Sequence, residues 1–178
     1  LALENADSVE LLGYSLMPIY SQNFQIPYQN NSESIFEIQQ LSDQSPALGS
    51  YLNQYFSPKP IGGYAFDAPT QNFVDEFEVT QDSIFDPRLD YTVGRKGEKW
   101  VNGENFDPSW SVTGYLNKKH VEPKAETPII GDGNLDYVYM RFAEILLIKA
   151  EALNELNRSA DALIPLNKVR KRARECYL

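Results

Sequence analysis

Apolar residues recur at helical spacing near the C-terminus, and this pattern constrains the fold more than any other feature of the chain. One series occupies i, i+3, i+4, i+8 and i+11, as a buried helix face does: Phe142, Ile145, Leu146, Ala150 and Leu153. A second series lies beyond a polar turn: Ala162, Leu163, Leu166, Val169 and Ala173. We therefore predict a helix over about 141–157, then a turn with Ser159 as N-cap, then a second helix packed antiparallel to the first.

The same helix pair fits the register of a tetratricopeptide repeat, in which two helices form a 34-residue unit. Ala150, Leu153, Ala162 and Leu166 fall at its eighth, eleventh, twentieth and twenty-fourth positions. Repeats of this kind bury their faces against neighbouring repeats. Since one copy is visible, we expect the chain to be a segment of a longer protein.

The rest of the chain lacks a sustained period. Ten of its eleven prolines lie between Met17 and Asn134. Short extended pieces are predicted at 34–39 and 137–140, a short helix at 72–79, and the end of a helix before Gly13. The predicted fold is mainly α, with a few short β-strands. We expect one region over 1–178: a helix end (1–13), irregular ligand-surface loops (14–135) and the helix pair (136–178).

Composition excludes several classes of protein. The single cysteine, Cys176, and the single histidine, His120, rule out an intrachain disulfide and a Cys/His zinc site. His120 follows the polar run 117–119, which predicts a surface position rather than a catalytic one. No apolar run approaches the roughly 18 residues of a membrane-spanning helix. No Walker or dinucleotide-binding motif occurs, and no cofactor is expected.

Charge is distributed unevenly along the chain. The net charge of −9 divides into −11 over residues 1–93 and +2 over the remainder. Nucleic-acid binding depends on Lys and Arg neutralising phosphates, so the acidic half argues against it. The basic stretch from Lys168 to Arg174 is typical of a solvated helix face.

Two groups of acidic residues could serve as a metal site or as catalytic carboxylates rather than in a structural role. Asp132, Asn134 and Asp136 have the alternate spacing of a calcium loop, but Tyr137 and Ala143 stand where that loop needs Gly and Glu. We therefore predict no metal site. Paired carboxylates on the first helix, Glu144 and Glu151, could suggest acid/base work on a glycoside. We favour instead an ion-pair network between packed helices.

The segments 139–155 and 165–173 resemble the helix signature of SusD/RagB-like proteins. Further stretches agree in the same order: 31–39, 73–77, 86–89, and Gly114-Tyr115 with Lys118 and Lys119. Signature residues with an expected structural role follow: Arg141, Glu144, Glu151, Asn154, Asn167 and Arg170. The resemblance covers nearly the whole chain.

The resemblance implies a mostly helical scaffold with tetratricopeptide-like pairs and a ligand surface of irregular segments. Family members are outer-membrane lipoproteins of Bacteroidetes, held by a lipidated N-terminal cysteine. They cover a TonB-dependent transporter and capture glycans, or in some members peptides. We expect the same surface location for this protein. The only membrane contact expected is through that anchor, which this sequence does not contain.

Aromatic residues in polar loops are the candidate ligand-binding groups, because the apolar C–H faces of sugars stack on them. They are chosen on chemistry alone: Trp100, Trp110, Tyr64, Tyr55 and Tyr51. The leading hypothesis is non-catalytic capture of a poly- or oligosaccharide. A peptide- or protein-binding scaffold is the alternative, and a glycoside hydrolase ranks last because no catalytic frame is visible.

Overall fold

The computed structural model describes residues 1–79 and 85–176. The α-helices are α1 (Ala2–Glu10), α2 (Leu52–Phe56), α3 (Gln71–Asp75), α4 (Arg88–Thr92), α5 (Phe142–Glu155) and α6 (Ser159–Glu175). The strands are β1 (Ser34–Ile38), β2 (Val93–Gly94), β3 (Leu116–Asn117) and β4 (Tyr137–Arg141). Short 3-10 helices lie at Tyr20–Phe24, Ile26–Tyr28, Lys59–Ile61 and Pro108–Trp110. The predicted helix-rich fold with few short strands is confirmed. Residues 80–84 of the predicted loops and residues 177–178 of the predicted helix pair lie outside the described residues.

The chain divides into two compact units. We call one the helical unit; it comprises Leu1–Asn23, Pro27–Ile38 and Val138–Leu178. The other, the loop unit, comprises Phe24–Ile26 and Gln39–Tyr137. The sequence predicted one region partitioned by position along the chain, whereas the structure brings the first and last segments into one unit.

The helical unit is built on α5 and α6, which pack against each other, and α1 packs against α5. Its core contains six buried side chains: Ala6, Phe142, Ala143, Ile145, Leu146 and Val169. The apolar spacing in the sequence marked most of these positions, because helical period alone decides which side chains face inward. Leu146 is completely buried at the centre of this core.

The turn between α5 and α6 corrects one detail of the sequence analysis. Ser159 is the first residue of α6 rather than its N-cap, a position that Arg158 occupies. The Ser159 hydroxyl donates instead to Asn154 Oδ1 (2.8 Å), which ties the start of α6 to the end of α5. Asn157 takes the left-handed conformation (φ 59°) that asparagine tolerates better than most residues. Pro165 lies inside α6 without ending it.

Strands β1 and β4 pair with each other, as do β2 and β3. The extended segments predicted at 34–39 and 137–140 are therefore confirmed. The backbone N–H of Phe142 donates to the Glu33 carbonyl (2.8 Å), which joins the start of α5 to the residue before β1.

The core of the loop unit is aromatic. Strands β2 and β3 are antiparallel, with Gly94 opposite Leu116. The buried side chains around this pair are Phe56, Trp100, Phe106, Leu116 and Val121. A β-carbon at Gly94 would lie 2.6 Å from Trp100 and 2.8 Å from Phe106, so both rings rest directly on the strand backbone.

None of the helices in residues 1–79 and 85–176 combines the length and the apolar composition needed to cross a bilayer.

Candidate functional site

Four exposed aromatic side chains of the loop unit lie in contact with one another. We call this group, Tyr51, Tyr55, Tyr64 and Phe66, the aromatic face. Their exposed fractions are 56%, 38%, 44% and 53%. Large apolar side chains that are exposed singly are normal, but a contiguous exposed group is typical of a binding surface.

The backbone explains how residues from two segments form this face. Tyr51 precedes α2 and Tyr55 lies one helical turn later, so their side chains share one side of the helix. The N–H of Tyr64 donates to the carbonyl of Gln54 (2.9 Å), and the N–H of Phe66 donates to that of Tyr55 (2.7 Å).

Gly63 allows the second segment to approach α2 closely. A β-carbon there would lie 2.0 Å from the Ser57 carbonyl oxygen, so only glycine fits. The aromatic face is therefore positioned by main-chain contacts rather than by the rings alone.

The rings form a continuous array. Centroids of Tyr51 and Tyr55 are 6.3 Å apart and those of Tyr55 and Tyr64 are 6.1 Å apart, with an interplanar angle of 26° in each pair. Phe66 lies 5.3 Å from Tyr64 and 5.9 Å from Tyr55. Neighbouring rings at shallow angles present a broad apolar surface edged by phenol hydroxyls, which suits a ligand with apolar faces and many hydroxyls.

The predicted ligand residues thus separate into two groups. Tyr51, Tyr55 and Tyr64 come together, and the structure adds Phe66, which the sequence analysis missed. Phe66 lies two residues after Tyr64, and this alternation was the available signal.

Trp100 and Trp110 belong to the other group. Trp100 is only 3% exposed and packs against Phe106 (5.7 Å) and Trp110 (6.2 Å). Its prediction as an exposed stacking residue conflicts with this burial. Trp110 is half-buried, with its ring edge-on to Phe106 (5.3 Å). Both tryptophans anchor the loop, because burying their apolar area stabilises the folded chain more than leaving it in water.

The four residues predicted to form an ion-pair network on the helix pair are not buried between the helices. Glu144, Glu151, Asn167 and Arg170 are all exposed, so burial imposes no need to pair their charges. Among the signature residues, Asn154 joins the two helices, as described above, and Arg141 makes an ion pair with Glu33 (2.7 Å).

Buried ion pairs in the helical unit centre on Glu33, which is fully buried. Arg172 contacts it at 2.6 Å and is itself buried, although the sequence analysis placed the whole basic stretch of α6 on a solvated face. Burial raises the pKa of Glu33, but the hydrogen bond from Arg172 and the charges of Arg172 and Arg141 outweigh it. The resulting pKa lies below its usual value.

The alternating Asp132, Asn134 and Asp136 have a structural role. Their side-chain oxygens accept hydrogen bonds from the backbone N–H groups of Asp43, Ser42 and Gln40, each at 2.7 Å. A stretch with period two places alternate side chains on one side, which here binds the neighbouring segment. Residues 1–79 and 85–176 contain no group of three or more His, Cys, Asp or Glu side chains that could hold a metal ion.

The prediction that His120 lies at the surface is wrong. Its ring is partly buried between Phe24 (6.0 Å) and Tyr137 (5.1 Å). Burial, followed by the charge of Lys119, lowers the pKa of His120 to about 4. The imidazole is therefore neutral at pH 7 and acts as a packing group.

This environment predicts a pH dependence of stability. The unfolded chain binds a proton at His120 below its usual pKa of 6.5, whereas the folded chain does so only near 4. Stability from His120 is thus complete above pH 6.5 and falls, by at most about 3 kcal/mol, as the pH decreases towards 4. His120→Asn keeps the left-handed backbone (φ 62°) and removes the titration. Urea unfolding across this range should show a shallower pH slope in the variant, and equal slopes would contradict the prediction.

The sequence profile of the SusD family matches residues 32–176. No curated protein matches the chain. Similar solved structures come from Bacteroides species. A SusD-like carbohydrate-binding protein from Bacteroides fragilis has 25% identity and a TM-score of 0.78 over 94% of this chain and 39% of that one. Surface glycan-binding protein A from Bacteroides thetaiotaomicron, in complex with laminarihexaose, has 22% identity and a TM-score of 0.77, with 98% and 43% covered.

A SusD superfamily protein from Bacteroides vulgatus has 24% identity and a TM-score of 0.76, with 91% of this chain and 36% of that one covered. The chain therefore spans 36% to 43% of the length of these three relatives. The helix-rich fold agrees with that of these structures. Because the family profile extends over most of the sequence, the chain belongs to the SusD family.

Proposed function

We propose that this chain contributes to the non-catalytic capture of oligo- or polysaccharides, and that the aromatic face is the capturing surface. The observation that carries the proposal is the contact among four exposed rings on one side of α2. Leaving this apolar area in water is unfavourable, and a ligand that covers it gains the corresponding free energy. Sugar rings offer matching apolar faces, and their hydroxyls can pair with the phenol groups.

Family membership supports the setting of this capture. We propose a location at the outer-membrane surface and delivery of the glycan to a TonB-dependent transporter, as the family resemblance implies. The relative from Bacteroides thetaiotaomicron holds laminarihexaose, which makes a glucan oligosaccharide the first probe to use.

Binding is favoured over hydrolysis. A glycosidase needs two carboxyl groups about 5–10 Å apart on either side of the scissile bond. The carboxylates considered for that role, Glu144 and Glu151, are exposed on α5 in the helical unit, whereas the aromatic face belongs to the loop unit.

A peptide- or protein-binding scaffold is the second candidate, and exposed apolar residues on the helix pair favour it. These are Leu147 and Ile148 on α5, with Leu163 and Ile164 on α6. Tetratricopeptide-like helices bury such residues against other helices. The experiment below distinguishes this candidate because it compares the same variants with glycan and peptide ligands.

Calorimetric titration with laminarihexaose, a panel of polysaccharides and a panel of peptides tests the proposal. Tyr55→Ala combined with Tyr64→Ala should weaken glycan binding at least about tenfold, because each lost ring removes about 1 kcal/mol. Tyr139→Ala is the matched control: this tyrosine is exposed but belongs to the helical unit. Equal affinities for the native chain and the double variant, or binding of peptides and no glycan, would overturn the proposal.

A further inference from the structure

A cleft of about 490 Å³ opens within the loop unit. This volume falls in the range of small-ligand sites, about 300–1,000 Å³. Its walls combine apolar side chains with polar ones; the apolar ones include Pro60, Ile61, Val101 and Ile130, and the polar ones include Asn53 and Asn102. A lining of this mixed kind suits a compact molecule that carries both apolar faces and polar groups.

Two further residues of the wall, Trp100 and Glu122, are almost completely buried, at 3% and 5% exposed. Each has a polar atom without a hydrogen-bond partner among the described residues: the indole Nε1–H of Trp100 and Oε1 of Glu122. Buried polar atoms are paired in the large majority of cases, so two unpaired ones beside the same cleft require an explanation.

The Glu122 carboxylate is fixed in place through its other oxygen. Oε2 accepts hydrogen bonds from the Thr127 hydroxyl and from the backbone N–H of Asn134 (2.9 Å). The backbone N–H of Glu122 donates to Asn53 Oδ1 (3.0 Å). A carboxylate held in this way keeps Oε1 as an acceptor and Trp100 keeps a donor; both atoms are covered in the structure, so a ligand reaches them when the side chains over them move aside.

The chemistry of these atoms defines the ligand. Glu122 Oε1 needs a donor and Trp100 Nε1–H needs an acceptor, and a hydroxyl group is both. A compact molecule with several hydroxyls and apolar C–H faces satisfies both the atoms and the apolar walls. We infer that the cleft is a second subsite, which receives a single pyranose ring of a bound glycan.

This inference rests on the proposed glycan function and extends it. The cleft and the aromatic face share elements, since Asn53 lies on α2 between Tyr51 and Tyr55. Ile130 lines the cleft, and a β-carbon at the next residue, Gly131, would lie 3.5 Å from the Tyr51 ring. The cleft and the aromatic face are therefore carried by the same segments, and a glycan that occupies both would enter the cleft through a branch or through a chain end.

Nuclear magnetic resonance gives a direct test that does not depend on the aromatic face. Only Trp100 and Trp110 have indole N–H groups, and Trp100→Phe assigns their two signals. Free glucose and xylose at millimolar concentration should shift the Trp100 signal saturably. An unchanged Trp100 signal with both sugars would overturn the inference.

Variants then separate the subsite from the aromatic face. Glu122→Gln keeps the shape of the side chain but removes its charge, and should weaken sugar binding at the cleft at least about tenfold. Glu126→Gln is the matched control, an exposed carboxylate four residues later. Trp100→Phe removes the indole donor and should also weaken binding, which keeps the test decisive if Glu122→Gln fails to fold.

Linear and branched oligosaccharides distinguish the two sources of the ring. Loss of affinity in Glu122→Gln for a xylose-branched glucan alone identifies a branch, and equal loss for laminarihexaose identifies a chain end. If Tyr55→Ala with Tyr64→Ala weakens both ligands but Glu122→Gln weakens neither, the second subsite is wrong and the proposed function stands. If the Trp100 signal responds to sugars but no oligosaccharide depends on the aromatic face, the cleft binds sugar and the aromatic face is wrong as the capturing surface.

Discussion

Replacing Glu33 by alanine is expected to lower the free energy of unfolding by about 3–5 kcal/mol, because it leaves a buried cation without its partner. Arg172 donates to both Glu33 carboxylate oxygens, at 2.6 and 3.2 Å. Arg141 donates to Oε1 at 2.7 Å. The backbone N–H of Met17 and the side-chain amide of Asn23 donate to Oε2, at 2.8 and 3.2 Å.

Several segments of the helical unit meet at this carboxylate. Tyr20 lies beside both guanidinium groups, with its ring centroid 5.4 Å from Arg172 and 5.9 Å from Arg141. Removing Glu33 therefore leaves Arg172 without its carboxylate partner and removes the hydrogen bonds that Met17 and Asn23 donate to it. Far-ultraviolet circular dichroism during urea unfolding measures the effect, because α5 and α6 are the longest helices of the described residues.

The lowered pKa of Glu33 also predicts how stability changes with pH. A carboxyl group whose folded pKa is lowered contributes stability that is complete above its usual pKa of 4.5 and is lost as the pH falls through the folded value. Native protein should thus lose stability in acid below about pH 4.5, and Glu33→Gln should lack this component. Glu175→Ala is the control, since Glu175 is exposed and its pair with Lys171 is long, at 3.9 Å. A loss below about 1 kcal/mol in Glu33→Ala would contradict the structure at this site.

Phe106→Ala is expected to have an effect of similar size on the loop unit, about 3–5 kcal/mol. The Phe106 ring is buried and contacts both tryptophans, and it lies directly over the backbone of Gly94. Truncating the ring leaves a cavity that the strand pair β2–β3 cannot fill without breaking its register.

Tryptophan fluorescence measures this effect selectively, since both tryptophans of the chain lie in the loop unit. Phe73→Ala is the control, because Phe73 is 46% exposed and its loss should change stability by less than about 1 kcal/mol. Equal destabilisation by the two substitutions would show that Phe106 does not support the core as described.

Local patterns allowed α5, α6, β1 and β4 to be predicted, since helical period and alternation are encoded by neighbouring residues. The short elements α2, α4, β2 and β3 carry no such pattern and were not predicted. The centre of the helical unit could not be found in this way. Glu33 and Arg172 are separated by 139 residues, and nothing near either one identifies its partner. Arg172 looked like one more charge on a solvated face.

The candidate site was likewise predicted only where its residues lie close together in the sequence. Tyr51, Tyr55 and Tyr64 were named from one stretch of the sequence, and their rings lie in contact, while their role in binding stays a prediction. The prediction of exposure failed for Trp100, since a polar loop sequence does not reveal that Phe106 and Leu116 close over the indole. The cleft was missed because Asn53, Trp100 and Glu122 come from three separate segments.

The helical unit is formed by the first and last segments of the chain, and this arrangement has a consequence for biosynthesis. A ribosome releases Glu33 and β1 about a hundred residues or more before β4 and α6, which hold their partners. Until β4 and α6 have been synthesised, the Glu33 carboxylate stays solvated and the apolar Phe36 and Ile38 stay without a neighbouring strand. The loop unit, which is almost continuous in sequence, can fold during that interval. During that interval the segment 17–38 is without its contacts and depends on protection by chaperones.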